Sequence, residues 1–257
     1  MTSEESSLAL FFDFENIAIG LKQTRGRSFD ISMVIERLLE KGRLIVKRAY
    51  ADWGRYEEYK RTFHEHAVEL LDIPQSRYSG KNSADIRLVV DALALCYSNP
   101  HIDTFVVVSG DSDFSPLVSK LRESNKTVIG LGIKEASSKL LIGNCDEFIY
   151  YEDVVRPARR EPAAMKGIPP KKREAFELLV DSVKALMREN KEVLWSSMVK
   201  DTMRRKRPLF DEGYHGYGTF SELLKDAERH QLIQLGRDPK SGTLTVRDLL
   251  LDATDAG

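Results

Sequence analysis

The chain has 257 residues, of which 42% are hydrophobic and 31% charged, a composition that excludes a disordered protein. Its length suits one large domain or two modest ones. The formal net charge of −1 conceals an asymmetry, because residues 1–155 carry 19 basic and 24 acidic side chains, whereas residues 156–257 carry 20 and 16. An acidic part joined to a basic part fits a metal-bearing unit beside one that faces polyanions, although solvated surface charge also produces smaller imbalances.

The two cysteines, Cys96 and Cys145, have neither a metal-ligand spacing nor a disulfide pattern, which is typical of a reducing compartment. The N-terminal stretch MTSEESS lacks the basic start and the apolar run of a signal peptide. No segment approaches the ~20 apolar residues of a membrane span. We therefore expect a cytoplasmic protein with no membrane partner.

Apolar runs alternate with amphipathic segments along the first part of the chain. Strands are predicted at 8–12, 44–51, 68–74, 105–108, 127–131 and 148–151. Helices are predicted at 31–42, 57–66, 83–97, from 114 onward and at 136–142, with Asp30 capping the first and Ser83 the third. Because parallel strands need crossover connections, this alternation favours a three-layer α/β domain with a central parallel sheet.

Four aspartates occur where this pattern changes from strand to helix. Asp13 ends the first strand, Asp111 and Asp113 follow the run FVVV at 105–108, and Asp85 falls in the first turn of a helix. Sites in open α/β sheets collect at the carboxyl ends of the strands. Carboxylates crowded there raise one another's pKa unless a cation neutralises them, and such oxygen ligands suit Mg²⁺ or Mn²⁺.

Each aspartate also has a purely structural interpretation. Asp13 can simply end a strand, and Asp85 can favour a helix N-terminus through the helix dipole. Asp111 and Asp113 can cap the helix that follows them, a role that suits Asp113 in particular. Only the four residues taken together favour a cation site.

Three motifs carry a resemblance to a known family: DxxN at 13–16, GKxxxD at 80–85 and SGDSDF at 109–114. In this order they resemble the NYN family, the PIN-like nucleases of the LabA-like type, over about residues 8–153. The resemblance implies that residues 1–153 form a PIN-like ribonuclease domain dependent on Mg²⁺ or Mn²⁺. It implies metal-binding, catalytic carboxylates at Asp13, Asp85, Asp111 and Asp113, and a catalytic Asn16 that orients a phosphate, a ligand water or Asp13.

Other residues in this part are candidates for contact with RNA. Lys81 lies in the second motif, where it can contact a phosphate or remain a solvated loop lysine. Trp53 and Arg55 follow a predicted strand, where an aromatic ring and a cation can stack on RNA or simply pack. Asp91 follows Asp85 by six residues and lies about 240° round the helix from it, which makes it a weaker candidate for the metal site.

Residues 154–172 hold four prolines and clustered Lys and Arg, which predicts a basic interdomain linker. After it, Trp195, the Pro-x-Phe at 208–210 and the Gly-Tyr-x-x-Phe at 216–220 resemble a LOTUS domain, also called OST-HTH, over residues 173–250. The resemblance implies a small winged-helix-like module that binds RNA and, in some relatives, a protein partner.

A basic run at the end of a predicted helix belongs to this second part. Arg204, Arg205, Lys206 and Arg207 can complement the helix dipole or neutralise phosphates. Tyr214 lies in a glycine-rich turn, where it can stack on bases, whereas core packing is at least as good an interpretation for Tyr217.

The favoured hypothesis is a metal-dependent ribonuclease that acts on single-stranded or structured RNA recruited by the C-terminal domain. The alternative is a non-catalytic RNA-binding or adaptor protein, against which the complete set of four carboxylates argues. A haloacid-dehalogenase-like phosphatase is disfavoured, because its chemistry needs an aspartate at the position of Glu15. Assembly into a homo-oligomer is compatible with the sequence.

Overall fold

The computed structural model describes residues 6–23, 28–74, 82–155, 165, 167–189, 193–239 and 241–250. Its internal contacts divide the chain into two compact units. The first unit comprises residues 1–38 and 42–156, and the second comprises residues 39–41 and 157–257. The division falls within the segment 154–172 that the sequence predicts as a linker.

Strands and helices alternate along the first unit. Its strands are β1 Ser7–Asp13, β2 Arg43–Ala51, β3 Glu69–Asp72, β4 Thr104–Val108, β5 Thr127–Gly132 and β6 Glu147–Tyr150. Its helices are α1 Phe14–Gln23, α2 Ile31–Leu39, α3 Glu57–Glu65, α4 Ser83–Ser98, α5 Ser115–Glu123, α6 Lys139–Asn144 and α7 Tyr151–Val154. Two 3₁₀ turns, Trp53–Arg55 and Ser112–Phe114, follow β2 and β4.

The six strands form one sheet in the order β3-β2-β1-β4-β5-β6, and each neighbouring pair is parallel. Both faces of β1 are buried, which is why its sequence is continuously apolar. Phe11 packs on one face in a cluster with Leu88 of α4 and Val118 of α5. Phe12 packs on the other face against Phe63 of α3, with ring centroids 5.6 Å apart. The predicted three-layer α/β architecture with a central parallel sheet is confirmed.

The strand order reverses between β1 and β4. The chain passes from β1 outward to β2 and β3, then returns to the other side of β1 and continues through β4, β5 and β6. Connections on the two sides of this point leave the sheet in opposite directions, which opens a crevice at the carboxyl ends of β1 and β4. Asp13 ends β1 at this crevice, and Ser109 follows β4 there.

Three local predictions need correction. The sequence analysis predicted no helix directly after the first strand, whereas α1 follows β1 without a loop. The helix predicted at 136–142 begins at Lys139 instead, because the hydroxyl of Ser138 caps it there. Asn82 rather than Ser83 is the N-cap position of α4, and its side chain makes no capping hydrogen bond.

The second unit is smaller and mixes helices with an antiparallel sheet. Its elements are α8 Pro170–Arg188, β7 Leu194–Trp195, α9 Ser196–Lys206, α10 Phe220–Arg229, β8 Ile233–Arg237 and β9 Leu244–Leu249. The sheet order is β7-β9-β8, and both pairings are antiparallel, so β8 and β9 form the predicted hairpin. Helix α8 begins three residues earlier than predicted, with prolines at 169 and 170 at its start.

The core of the second unit joins α8 to both later helices and to the sheet. Phe176 and Leu179 of α8 pack with Val199 of α9, Leu223 of α10 and Val246 of β9. Within the described ranges, none of the helices has the length and apolar character needed to cross a membrane.

Candidate active site

Four predicted carboxylates come from three separate segments that meet at the crevice between β1 and β4. Asp13 is the last residue of β1, and Asp85 lies in the first turn of α4. Asp111 and Asp113 lie in and beside the 3₁₀ turn that follows β4. Their charges act on one another, since Asp85 and Asp111 raise the pKa of Asp13, and Asp111 and Asp113 raise that of Asp85.

Asp13 is the most buried of these carboxylates, with 5% of its surface exposed. The hydroxyl of Ser109 donates to its Oδ2 at 2.8 Å, and the backbone N–H of Asn16 donates to its Oδ1 at 3.4 Å. Burial raises the pKa of Asp13 to about 7, and the charges of Asp85 and Asp111 add to the rise while the hydrogen bond from Ser109 opposes it. The carboxylate form is therefore destabilised in the absence of a cation.

Asp85 is half-buried, and its pKa is raised above the ordinary value, first by burial and then by the charges of Asp111, Asp113 and Glu15. Glu15 was not among the predicted site residues. It follows Asp13 by two positions, and its Oε1 accepts a hydrogen bond of 2.9 Å from the backbone N–H of Asp52. The available sequence signal was the first motif itself, since a helix beginning directly behind a strand keeps its first residues near the strand end.

Asp111 has a structural role beside its predicted one. Its Oδ1 accepts the backbone N–H of Asp113 at 2.9 Å, so Asp111 is the N-cap of the 3₁₀ turn. The alternative interpretation of Asp113 as a helix cap has no support, because the capping side chain is that of Asp111 and α5 has no side-chain cap of its own. Asp113 is exposed instead.

Asn16 holds the turn after β4 against the start of α1. Its Oδ1 accepts a hydrogen bond of 2.8 Å from the backbone N–H of Gly110. Gly110 is required here because a Cβ at this position would stand 2.5 Å from the backbone oxygen of Ala136. The hydrogen bond to Asp13 comes from the backbone N–H of residue 16, so the three roles considered for the Asn16 side chain remain predictions.

These residues have the chemistry that a hard divalent cation requires. Within the described ranges, no three carboxylate, imidazole or thiol side chains converge closely enough to enclose a metal ion by themselves. Mg²⁺ usually binds through one or two carboxylates and completes its shell with waters and substrate phosphate, so an open acidic crevice fits it. The raised pKa of the buried Asp13 is the feature that such a cation would relieve. The metal ligands remain a prediction.

A groove of about 730 Å³ adjoins the carboxylates, between α4, the start of α5 and α6. Asp85 and Asp113 belong to both the groove and the carboxylate cluster. The other residues that line it are apolar or uncharged and polar: Asn82, Ile86, Val89, Val90, Ser112, Ser115, Pro116, Ser119 and Leu140. The groove was not predicted, because an apolar helix face in a sequence indicates a buried contact as readily as the wall of an open groove.

The remaining candidate site residues of the first unit differ in burial and in their contacts. Trp53 is 1% exposed and stacks on Phe14 with ring centroids 5.3 Å apart, so its indole packs in the core and offers no face to RNA. Arg55 is exposed. Asp91 accepts hydrogen bonds from Tyr50 and Arg87, which gives it a structural role. Lys81 lies outside the described residues.

The basic run of the second unit lies in the last turn of α9, as predicted, with Arg207 just beyond it. Two of its members form ion pairs inside the unit: Lys206 with Asp181 at 2.6 Å, and Arg207 with Glu174 at 2.9 Å. Arg205 donates to the hydroxyl of Thr202, and Arg204 is exposed.

The two tyrosines of the glycine-rich turn differ in exposure. Tyr217 is buried, and its hydroxyl donates to Asp226 at 2.8 Å, in agreement with core packing. Tyr214 is 61% exposed, with the ammonium group of Lys171 4.8 Å from its ring centroid. Tyr214 therefore presents an aromatic surface beside a cation.

A doubly wound parallel sheet with an acidic crevice at its strand-order reversal defines a PIN-like α/β class of protein. The family model described as NYN domain matches residues 7–152. The chain therefore belongs to the NYN domain family, a family of nuclease type.

Two individual relatives are similar to parts of the chain. An uncharacterized protein of Methanocaldococcus jannaschii is 28% identical over 150 residues, which cover 56% of this chain and 55% of that protein. The chain thus spans about half the length of this curated relative. The crystal structure of a protein of unknown function from Vibrio parahaemolyticus superposes with a TM-score of 0.53 at 22% identity, covering 60% of this chain and 98% of that one, and shares the fold.

Proposed function

We propose that this protein is a Mg²⁺- or Mn²⁺-dependent ribonuclease that hydrolyses RNA phosphodiester bonds at the crevice between β1 and β4. The observation that carries the proposal is the gathering of Asp13, Asp85, Asp111 and Asp113 there, with the pKa values of Asp13 and Asp85 raised. Membership of the NYN domain family supports a nuclease in coarse terms.

The four carboxylates would hold the cation. When bound, the metal would supply a coordinated water of lowered pKa and would offset the charge that develops on phosphoryl oxygens. Ser109 and the backbone N–H of Asn16 fix both oxygens of Asp13, so this carboxylate is oriented before substrate arrives. Asp111 is fixed in the same way by the N–H of Asp113. Such fixed orientation reduces the reorganisation needed during the reaction.

The second unit is proposed to recruit RNA as a LOTUS/OST-HTH domain spanning residues 173–250, after the linker at 154–172. Its formal charge balance supports this division, since residues 156–257 have four more basic than acidic side chains. Arg204 and Tyr214 are exposed and offer a phosphate contact and a stacking surface. A protein partner of this unit and self-association of the chain remain compatible with the proposal.

The test is cleavage of labelled single-stranded and structured RNAs with Mn²⁺, Mg²⁺ or EDTA, by wild type and by Asp111→Asn. Asparagine keeps an oxygen that can accept the N–H of Asp113, so the variant removes charge while it preserves the cap. We expect cleavage by wild type with either metal, none in EDTA, and a loss of at least a hundredfold in the variant.

The matched control is Glu123→Gln, a carboxyl-to-amide change at the far end of α5, about 12 Å along the helix from its start. It should cleave like wild type. Equal cleavage by wild type and Asp111→Asn would reject the assignment. Binding of RNA by both proteins without cleavage would instead support the alternative of a non-catalytic RNA-binding or adaptor protein.

A further inference from the structure

We infer that the groove between α4, α5 and α6 binds the nucleoside next to the scissile phosphate, with its base against the apolar wall. This inference rests on the proposed ribonuclease function and adds a substrate subsite to it. The groove volume of about 730 Å³ lies within the range of about 300–1,000 Å³ that is typical of small-molecule sites.

The groove lies next to the carboxylate cluster. Asp85 and Asp113 form one end of it and also belong to the carboxylate cluster. Val90 lies five residues beyond Asp85 on α4, which is about 7.5 Å along the helix axis. A nucleoside attached to a phosphate at the carboxylates therefore reaches the apolar wall without any further linkage.

The walls of the groove are formed mainly by uncharged side chains. Ile86, Val90 and Leu140 line the groove and are 63%, 55% and 59% exposed, respectively. Apart from Asp85 and Asp113, the lining side chains carry no charge. A phosphate chain gains nothing from such walls, whereas a base has an uncharged face that stacks on apolar surface.

The buried side chain of Ser115 also belongs to the groove lining. Ser115 is 7% exposed; its Oγ is itself buried, beneath the groove surface, and has no hydrogen-bond partner within the described part of the chain. Buried polar groups without partners are uncommon, and each calls for an explanation such as strain or a functional role. Ser112 and Ser119 add hydroxyls to the same lining, and hydroxyls of this kind suit the 2′-OH and the edge of a base.

The first experiment measures binding and requires no cleavage. Adenosine 5′-monophosphate, uridine 5′-monophosphate and ribose 5-phosphate are titrated into the full chain with Mg²⁺, and amide shifts are followed by NMR. We expect the nucleotides to bind at least fivefold more tightly than ribose 5-phosphate, with shifts at residues 86, 90 and 140. Ile86→Ser should weaken nucleotide binding about fivefold and leave ribose 5-phosphate unchanged.

Ile45→Ser is the matched control, because Ile45 is also an exposed isoleucine, at 41%, but lies near the amino end of β2. It should bind nucleotide like wild type. Ser115→Ala should bind nucleotide more weakly with no fall in melting temperature, since its hydroxyl has no partner to lose. Equal binding of nucleotides and ribose 5-phosphate, or unchanged binding by Ile86→Ser, would overturn the subsite.

A second experiment separates this subsite from the proposed function. An abasic ribonucleotide is moved stepwise through a cleaved RNA, and cleavage should fall at the phosphate beside it. Cleavage that ignores the abasic position would overturn the subsite and leave the ribonuclease standing. Nucleotide binding in the groove without cleavage of any RNA would reject the ribonuclease, and with it the assignment to a scissile phosphate, and would leave a nucleotide-binding groove. A change from dimer to monomer in Ile86→Ser on sedimentation would identify the groove as a self-association surface and reject the subsite.

Discussion

Asp13 and Asp91 show how the same side chain serves different purposes in one unit. Asp91 receives the guanidinium of Arg87 and the hydroxyl of Tyr50, so its charge is compensated inside the protein. Among the described residues, Asp13 receives hydrogen bonds from a neutral hydroxyl and a backbone N–H, while burial and then the charges of other carboxylates raise its pKa. A charge in that environment is stabilised by an added cation.

Metal-free protein is therefore expected to lose stability as the pH rises. The pKa of Asp13 is 3.8 when unfolded and about 7 when folded, so the folded state holds the proton longer. Stability then falls between about pH 4 and pH 7 and levels off above the folded pKa. Asp13→Asn cannot ionise, and its stability relative to wild type should improve by up to about 3 kcal/mol between pH 5 and pH 8.

Urea unfolding of both proteins in EDTA at pH 5 and pH 8 measures this difference. Millimolar Mn²⁺ should reduce the difference in stability between Asp13→Asn and wild type at pH 8, because a cation bound to folded wild type stabilises that state. A difference that stays constant across the pH range would contradict the assigned ionisation of Asp13.

Residue roles could be predicted only where local chemistry determines them. Three of the four aspartates could be expected near one another because they follow strand ends, and Asp85 because it opens a crossover helix; their role as metal ligands remains a prediction. Trp53 could not be assigned, since an indole that stacks on RNA and one that stacks on Phe14 have the same local sequence. Glu15 was missed because its proximity to Asp85 depends on how α1 leaves β1.

At the scale of elements, the turn between β4 and α5 depends on close backbone contact. Gly110 lies against the backbone of Ala136, and its N–H donates to Asn16. We expect Gly110→Ala to lower the free energy of unfolding by about 2 kcal/mol, because the new methyl group overlaps Ala136 and forces the turn to move. The rate of RNA cleavage should fall together with the stability, because the next residue, Asp111, is a proposed metal ligand and would move with the turn.

Gly143→Ala in α6 is the comparison, because no atom lies within 4 Å of a Cβ there. It should raise stability by about 0.5–1 kcal/mol, as alanine is the better helix former. Urea titrations followed by circular dichroism give both values. Equal effects of the two alanines would show that the contact at Gly110 does not constrain the turn.

The elements themselves were largely predictable in the first unit. Buried parallel strands appear as continuous apolar runs, and the strands from β1 to β6 were located to within a few residues. Helix starts were less accurate, as in α6, because several serines could serve as caps and the tertiary structure selects Ser138. Helix α1 was missed because it begins directly behind the strand, with no loop between the two elements.

At the scale of the whole molecule, the two parts of the chain differ in charge, and the second unit is expected to supply the electrostatic part of RNA binding. Arg204→Gln should flatten the slope of log K against log salt by roughly 0.7, the value for one lost contact with single-stranded nucleic acid. Tyr214→Ala should weaken binding without changing that slope, because stacking releases no counterions.

Fluorescence anisotropy of the full chain with single-stranded RNA between 50 and about 300 mM salt measures both quantities. Lys225→Gln, another exposed cation of the second unit on α10, is the control for charge alone. If Lys225→Gln flattens the slope as much as Arg204→Gln does, binding depends on net charge, and the basic end of α9 has no particular role.

The pairing of β1 with β4 also determines when the site can exist during synthesis. Asp13 leaves the ribosome 98 residues before Asp111, which is roughly 5–20 s at bacterial and eukaryotic elongation rates. Until Leu8 pairs with Thr104, the first carboxylate has no partner across the crevice. A nascent chain surrounded by ribosomal RNA and its own messenger therefore carries an incomplete acidic site until much of the first unit has emerged and folded.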